Sequence, residues 1–256
     1  MKTICACVLL VLGFAAASVR AADPAYVGKW RVNTAKSQMT GDTVTIGPAD
    51  GGMMQFNSQG FAYKFKLDGK DYPMPDGGTT AWTATSPDVW DVTNHLNGKV
   101  TNTYHLERKG DILSVSGKSM KADGGTLQFT SSYKRVSGGP GFAGKWMSTE
   151  VKMPVTTLSI AASGPNGITL SDDTGTTSAG QFDGKDYTST GPMASPKSTF
   201  VLRKISDSSF EITSKLDGKP MYVDVYTVSA DGKTLTDDGT PVNAKTEKYK
   251  IVFDKQ

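Results

Sequence analysis

The chain has 256 residues, which is long enough for one or two domains with a buried core. Hydrophobic residues make up 37% and charged residues 21%, with 28 Gly and 12 Pro, a composition typical of a folded, loop-rich protein rather than a disordered one. The 28 basic and 25 acidic residues are scattered along the chain, so we expect neither a nucleic-acid partner nor an acidic tail.

The first 21 residues have the features of a secretory signal peptide. Lys2 precedes an apolar run at residues 4–17, and small residues follow. This run is shorter than the roughly 20 apolar residues that a membrane-spanning helix needs. We therefore expect cleavage between Ala21 and Ala22, a secreted or periplasmic location, and no membrane insertion of the mature chain.

Both cysteines, Cys5 and Cys7, lie inside this predicted signal peptide. A mature chain without cysteine cannot form disulfides, use a thiolate nucleophile or bind a metal through sulfur. We expect its stability to come from a hydrophobic core.

The remainder of the sequence contains an internal repeat. The Gly-Lys-Trp segment ending at Trp30 recurs at Trp146, and the Asp-Gly-Lys-Asp-Tyr segment ending at Tyr72 recurs at Tyr187. Residues 137–141, between the copies, are rich in Gly and Pro, as a short linker is. The predicted organisation is a first repeat at 22–136, this linker, and a second repeat at 142–256. The sequence leaves open whether the repeats form separate barrels or share strands.

Apolar and polar residues alternate within each repeat, as they do in half-buried strands. Phe61, Tyr63 and Phe65 follow this alternation, and turn dipeptides such as Asn97-Gly98 separate the predicted strands. The pattern predicts an all-β protein of two tandem small antiparallel β-barrels, with β-sandwiches as the alternative. Barrels are favoured because closure removes the exposed edge strands.

Two features of both repeats resemble the lipocalin and fatty-acid-binding superfamily. Each repeat has a Gly-x-Trp segment on its first strand, containing Trp30 or Trp146, and a basic residue late in its last strand, Arg135 or Lys255. The resemblance implies lipocalin-like barrels in which the tryptophan plugs one end and the basic side chain packs across it. Both basic residues share a strand face with apolar residues, which allows contact with an indole ring. We expect Trp30 to stabilise the first repeat.

A longer part of the first repeat resembles secreted bacterial proteins of lipocalin-like type whose activity is uncharacterised. The resemblance lies in Trp30-Arg31-Val32-Asn33, in Ala35-Lys36-Ser37 and in Asp68-Gly69-Lys70-Asp71-Tyr72-Pro73. It is weaker in the second repeat, and it implies fold and compartment but no activity.

The sequence gives little support to catalysis. Its two histidines, His95 and His105, flank the predicted turn at Asn97-Gly98. A two-residue loop would pair His95 with Val100 and leave the histidines on opposite faces, whereas a three-residue loop would put both on one face, about 13 Å apart. Neither register gives a shared metal site. Two pairs of adjacent aspartates, Asp172-Asp173 and Asp237-Asp238, are not expected to share a proton, because adjacent residues point to opposite faces of a strand or, in a turn, toward water. We interpret both pairs as surface turns. We predict no catalytic residue, no metal site and no cofactor.

Aromatic residues on the predicted strands either fill a small barrel or line a ligand cavity. We predict a cavity in the first repeat, lined by Phe61, Tyr63, Phe65, Trp90 and Tyr104. The leading hypothesis is a non-enzymatic binding protein for a small, mainly apolar ligand. One alternative is a structural or adhesive cell-envelope module with solid barrel cores, and a less favoured one is a hydrolase or isomerase that uses a histidine.

Overall fold

The computed structural model describes residues 23–256. The predicted signal peptide and its cleavage site lie outside the described residues. Within 23–256 the chain forms 20 β-strands and one short 3-10 turn, Asp50–Gly52, and no α-helix. No helix in this range has the length and hydropathy needed to cross a membrane.

The strands fall into two runs along the chain. The first run is β1 (Gly28–Val32), β2 (Thr43–Ala49), β3 (Met53–Ser58), β4 (Phe61–Phe65), β5 (Asp68–Pro73), β6 (Thr79–Ser86), β7 (Val89–Leu96), β8 (Lys99–Lys109), β9 (Ile112–Met120) and β10 (Thr126–Ser137). The second run is β11 (Gly144–Lys152), β12 (Thr157–Ala162), β13 (Gly167–Asp172), β14 (Thr177–Gln181), β15 (Ser189–Thr190), β16 (Ser198–Ser206), β17 (Ser209–Leu216), β18 (Lys219–Val228), β19 (Thr234–Pro241) and β20 (Tyr249–Lys255).

These strands form two antiparallel sheets of ten strands, each curled into a nearly closed barrel. The first barrel has the order β4-β3-β2-β11-β10-β9-β8-β7-β6-β5, so its end strands are neighbours in sequence. The second has the order β15-β14-β13-β12-β1-β20-β19-β18-β17-β16. Its ends meet through a bridge between Tyr187 and Phe200, whose backbone groups exchange hydrogen bonds of 2.9 and 2.8 Å. The prediction of two tandem antiparallel barrels is confirmed.

The two repeats exchange their first strands. β1, from the first repeat, lies between β12 and β20, so Trp30 pairs with Leu158 on one side and Lys255 on the other. β11, from the second repeat, lies between β10 and β2, and Trp146 pairs with Arg135 and Val44. The repeats therefore share strands. Trp30 belongs to the second barrel, which corrects the expectation that it stabilises the first.

The exchange is physically possible because the two strands carry the same Gly-Lys-Trp sequence and present the same side chains to either barrel. The segment after β1 is then held against the second barrel on its way to β2. Asn33 donates a hydrogen bond of 2.6 Å to Asp254, and Lys36 donates one of 3.0 Å to the same carboxylate. Each barrel is complete only with a strand from the other repeat.

Each barrel has its own hydrophobic core. The core of the first barrel is centred on Phe65, Trp82, Trp90, Phe142 and Trp146. The core of the second barrel contains Tyr26, Trp30, Phe200, Phe210 and Phe253. Both tryptophans of the Gly-x-Trp segments are fully buried.

Polar contacts join the two barrels. The Glu247 carboxylate, just before β20, accepts hydrogen bonds from the backbone N–H (3.0 Å) and the hydroxyl (2.6 Å) of Thr43. The Tyr222 hydroxyl of the second barrel donates to Gln59 at 3.0 Å in the first. Phe61 borders the interior cavities of both barrels. The two lumens therefore adjoin at this interface.

Candidate functional site

The first barrel encloses a cavity of about 260 Å³. Its wall is mostly apolar and aromatic, with Phe56, Tyr63, Trp82, Tyr104 and Phe129 among the lining side chains. Phe56 and Tyr63 are stacked with ring centroids 5.2 Å apart, and Tyr104 meets Phe129 edge-to-face at 5.8 Å. Such a wall can hold an apolar molecule by burial and by ring contacts.

Three polar atoms in this region are buried without a hydrogen-bond partner among the described residues. They are Thr80 Oγ1, Trp82 Nε1 and Asn94 Oδ1. Trp82 and Asn94 line the cavity, and the fully buried Thr80 lies on the same strand as Trp82 and on the same face. A buried polar group without a partner is costly, and a ligand with a hydroxyl or carbonyl group could satisfy one or more of them.

Burial also governs the tyrosines of the first lumen. It raises the pKa of Tyr104 to about 12 and that of Tyr63 well above its ordinary value. The Tyr63 hydroxyl lies beside Thr80 and Trp82. All these hydroxyls stay neutral at physiological pH, so the first lumen presents uncharged hydrogen-bonding groups.

The structure divides the five predicted ligand-binding residues into two groups. Phe61, Tyr63 and Tyr104 line the cavity. Phe65 and Trp90 do not line it, because they lie deeper in the solid part of the core. Phe65 stacks on Trp82 with a centroid distance of 4.1 Å, and Trp90 stacks on Phe142 at 3.9 Å.

The second barrel has a larger cavity, of about 490 Å³, with a different wall. Aromatic rings from Phe200, Tyr222 and Tyr226 line it, and Phe61 of the first barrel reaches it from across the interface. Its wall also contains the carboxyl group of Asp224, which is only 8% exposed. No pattern in the sequence predicts a site here.

Asp224 belongs to a group of four polar side chains inside the second barrel, with Tyr226, Asp237 and Tyr249. The Tyr249 hydroxyl donates a hydrogen bond of 2.5 Å to Asp224. Tyr226 is paired directly with Asp237 across β18 and β19. Asp237 is only 4% exposed, and its Oδ1 has no hydrogen-bond partner within residues 23–256.

Desolvation dominates the electrostatics of this group. Burial, together with the nearby Asp224 carboxyl, raises the pKa of Asp237 to about 8. Burial also raises the pKa of Asp224, although the hydrogen bond from Tyr249 opposes this effect. The pKa values of Tyr226 and Tyr249 are raised well above the ordinary value for the same reason. A protonated Asp237 carboxyl is therefore favoured at neutral pH.

The position of Asp237 corrects the interpretation of Asp237-Asp238 as a surface turn. Both residues lie within β19, with Asp237 facing the lumen and Asp238 facing outward, where it pairs with Lys250 at 3.4 Å. The sequence does contain an indication of this position. Asp237 lies two residues after Leu235 and therefore shares its strand face, and Leu235 is fully buried.

The predicted barrel-end residues form two cation–π pairs across the exchanged strands. The Arg135 guanidinium lies 4.0 Å from the centre of the Trp146 ring, and Lys255 Nζ lies 5.1 Å from the Trp30 ring. Arg135 also donates to three backbone carbonyls of the linker region, those of Gly139, Gly141 and Ala143, at 2.6–2.9 Å. Each tryptophan thus meets the basic residue of the other repeat.

The two histidines lie on the outer face of the first barrel. The two-residue turn pairs His95 with Val100 as expected, but a bulge beside His95 shifts the register of β8. Both histidines therefore share one face of the sheet, because the bulge reverses the opposite-face placement that the two-residue turn alone would give. His95 lies 3.0 Å from Asp71, and His105 lies 2.8 Å from Asp91, which are ordinary surface pairs.

Comparisons of the chain with family models, with curated proteins and with solved structures gave no match. The lipocalin-like identity therefore stays a prediction from the sequence. Across residues 23–256, no group of three or more His, Cys, Asp or Glu side chains could hold a metal ion.

Proposed function

We propose that this protein is a secreted or periplasmic binding protein that holds a small, mainly apolar molecule in the first barrel without transforming it. The observation that carries the proposal is the cavity of about 260 Å³ with an aromatic wall and buried, unpartnered polar atoms. An apolar body packs against the aromatic wall, and a single hydroxyl group donates a hydrogen bond to Asn94 Oδ1.

The cavity supports this function over that of an envelope module with solid cores. A mostly apolar cavity inside a barrel can bind an apolar molecule of matching size. The outward-facing histidines, each paired with one exposed carboxylate, give no comparable support to a hydrolase or isomerase.

The first experiment is native mass spectrometry of residues 22–256, purified from the protein's own secretion pathway without detergent. A mass adduct that is lost on denaturation identifies a bound ligand. The absence of an adduct, also after exposure to a lipid extract, would contradict the proposal and favour the interaction module.

A second experiment locates the site with 2-naphthol as a probe, followed by tryptophan fluorescence. Val115 lines the cavity and Ser114, next to it on β9, is exposed on the outer face. We expect Val115→Phe to fill the cavity and weaken binding by about tenfold or more, a change of at least 1.4 kcal/mol. Ser114→Phe is the matched control and should leave the affinity unchanged.

The polar anchors are tested with naphthalene, which lacks the hydroxyl. Asn94→Leu should reduce the preference for 2-naphthol over naphthalene, since it removes one acceptor from the lumen. Equal binding of 2-naphthol by Val115→Phe and by the unmodified protein would place the probe elsewhere and contradict the assignment of the site.

A further inference from the structure

The lumen of the second barrel contains two buried carboxyl groups without a basic partner. None of the ion pairs formed within residues 23–256 includes Asp224 or Asp237. Asp224 is paired with Gly239, two residues from Asp237, so the two carboxyls are diagonal neighbours, with an expected separation of about 7–8 Å. A buried carboxyl is normally paired with a cation when it is ionised, and no cation within residues 23–256 pairs with either one.

The other charged groups near this lumen already have partners or lie outside it. β17 and β20 present only uncharged side chains to the carboxyls, apart from Lys255 at the far end over Trp30. Two other charged residues line the cavity: Lys215 pairs with Asp186 at 2.8 Å, and Asp76 accepts a hydrogen bond of 3.0 Å from the backbone N–H of Gly78. Nearby acidic residues have partners elsewhere: Asp238 pairs with Lys250, Glu247 accepts from Thr43, and Asp42 accepts from Ser148. None of them neutralises the two carboxyls.

The cavity beside these carboxyls has the walls of a cation site. It is about 490 Å³ in volume, and Phe61, Phe200, Tyr222 and Tyr226 turn aromatic side chains toward it next to Asp224. Aromatic faces attract alkylammonium groups, most strongly where water is excluded. Asp237, diagonal to Asp224 on the inner face of β19, has one carboxyl oxygen, Oδ1, without a hydrogen-bond partner within residues 23–256, and this oxygen can also attract a positive group.

We infer that the second barrel binds an organic cation, a protonated or quaternary amine on an apolar body, with its charge directed toward Asp224 and Asp237. An anionic ligand would be repelled, and a purely apolar ligand would bury the carboxyls without compensation. An amine supplies the missing charge, while its apolar body covers the aromatic wall. This site is separate from the one proposed in the first barrel.

The inference also predicts how binding depends on pH. A bound cation favours an ionised Asp237 carboxyl, whereas burial by itself favours the protonated form. A quaternary ammonium has no proton to lose, so any pH dependence of its affinity comes from the protein. Its affinity should rise as the pH increases from about 6 to about 9, as Asp237 loses its proton.

The test uses the mature chain, residues 22–256, with phenyltrimethylammonium and its uncharged isostere tert-butylbenzene, measured by isothermal titration calorimetry. We expect the ammonium to bind about tenfold more tightly or better, which corresponds to one buried charge-assisted contact. This comparison needs no variant, so it is decisive even if a substitution impairs folding. Equal affinity for the two probes, or an affinity for the ammonium that does not change with pH, would overturn the inference.

The variants assign the site. Asp224→Asn and Asp237→Asn should each weaken binding of phenyltrimethylammonium by about tenfold and leave tert-butylbenzene unaffected. Asp238→Asn, which removes the neighbouring carboxyl on the outer face of the same strand, is the matched control and should change neither. Unchanged affinity in both lumen variants would overturn the inference. Retained ammonium binding in Val115→Phe separates this site from that of the first barrel.

Discussion

At equivalent positions on three adjacent strands, the first barrel has Tyr104, Gly117 and Phe129, and the second has Asp224, Gly239 and Tyr249. In both barrels the aromatic ring lies directly over the glycine. A Cβ atom at Gly117 would be 2.1 Å from the Phe129 ring, and one at Gly239 would be 2.0 Å from the Tyr249 ring. The scaffold is the same, and the polarity of the side chains around it differs.

The next positions along these strands extend the difference. Leu106 and Val115 of the first barrel correspond to Tyr226 and Asp237 of the second. One lumen is therefore apolar with neutral hydrogen-bonding groups, and the other contains two carboxyls and two phenols. A duplicated barrel can therefore keep the packing of its wall while substitutions at interior positions change the kind of ligand that it can bind. This is possible because interior side chains contribute little to the backbone hydrogen bonds between strands.

The largest expected effect tests the exchange of strands that gives each barrel its end tryptophan. Trp30→Ala and Trp146→Ala should each lower the free energy of unfolding by about 3–5 kcal/mol, the usual cost of deleting a large buried aromatic side chain. Amide hydrogen exchange should speed up in β12–β20 for Trp30→Ala and in β2–β10 for Trp146→Ala. Faster exchange in β2–β10 for Trp30→Ala, or in β12–β20 for Trp146→Ala, would contradict the exchange of first strands.

The second effect concerns the carboxyls that only the second barrel has in its lumen. The pKa of Asp237 is raised to about 8 in the folded state, so the folded chain binds this proton more tightly than the unfolded chain. The resulting stabilisation is complete below about pH 4 and is lost as the pH rises through about 8. We expect the second barrel to lose about 2–4 kcal/mol between about pH 5 and pH 8.

Urea denaturation across this pH range, with hydrogen exchange to separate the barrels, measures that loss. Asp237→Asn should make the stability of the second barrel nearly independent of pH in this window, and Asp238→Asn should not. An increase in the stability of the second barrel with pH would have the wrong sign and would show that Asp237 is ionised in the folded state.

The smallest effect compares the basic residues at the two barrel ends. Arg135→Met removes three hydrogen bonds to carbonyls, the ion pair with Asp111 at 2.9 Å and the contact with Trp146, so we expect a loss of about 1.5–3 kcal/mol. Lys255→Met removes only the longer contact with Trp30, so the loss should be under about 1 kcal/mol. Thermal unfolding of both variants measures the difference, and equal losses would show that the linker carbonyls contribute nothing.

The residues of the candidate sites were only partly predictable from the sequence. Phe61 and Phe65 follow the same alternation on β4, and alternation reports which face a side chain takes but not how far along the barrel it lies. Phe61 therefore borders the cavities while Phe65 packs in the core. The sequence did not predict the inward position of Asp237, because two adjacent aspartates are typical of a turn. Only the alternation of inward and outward residues along the whole strand places Asp237 inside.

The sequence by itself determined the all-β class, the repeat and the turns, because alternation and turn dipeptides are local properties of the chain. Only the tertiary structure decided which barrel each Gly-Lys-Trp strand completes, since β1 and β11 offer the same side chains and hydrogen-bonding groups to either barrel. It also decided that Asp224 and Asp237 face one lumen together, because that proximity depends on the register between β18 and β19 and not on either strand alone.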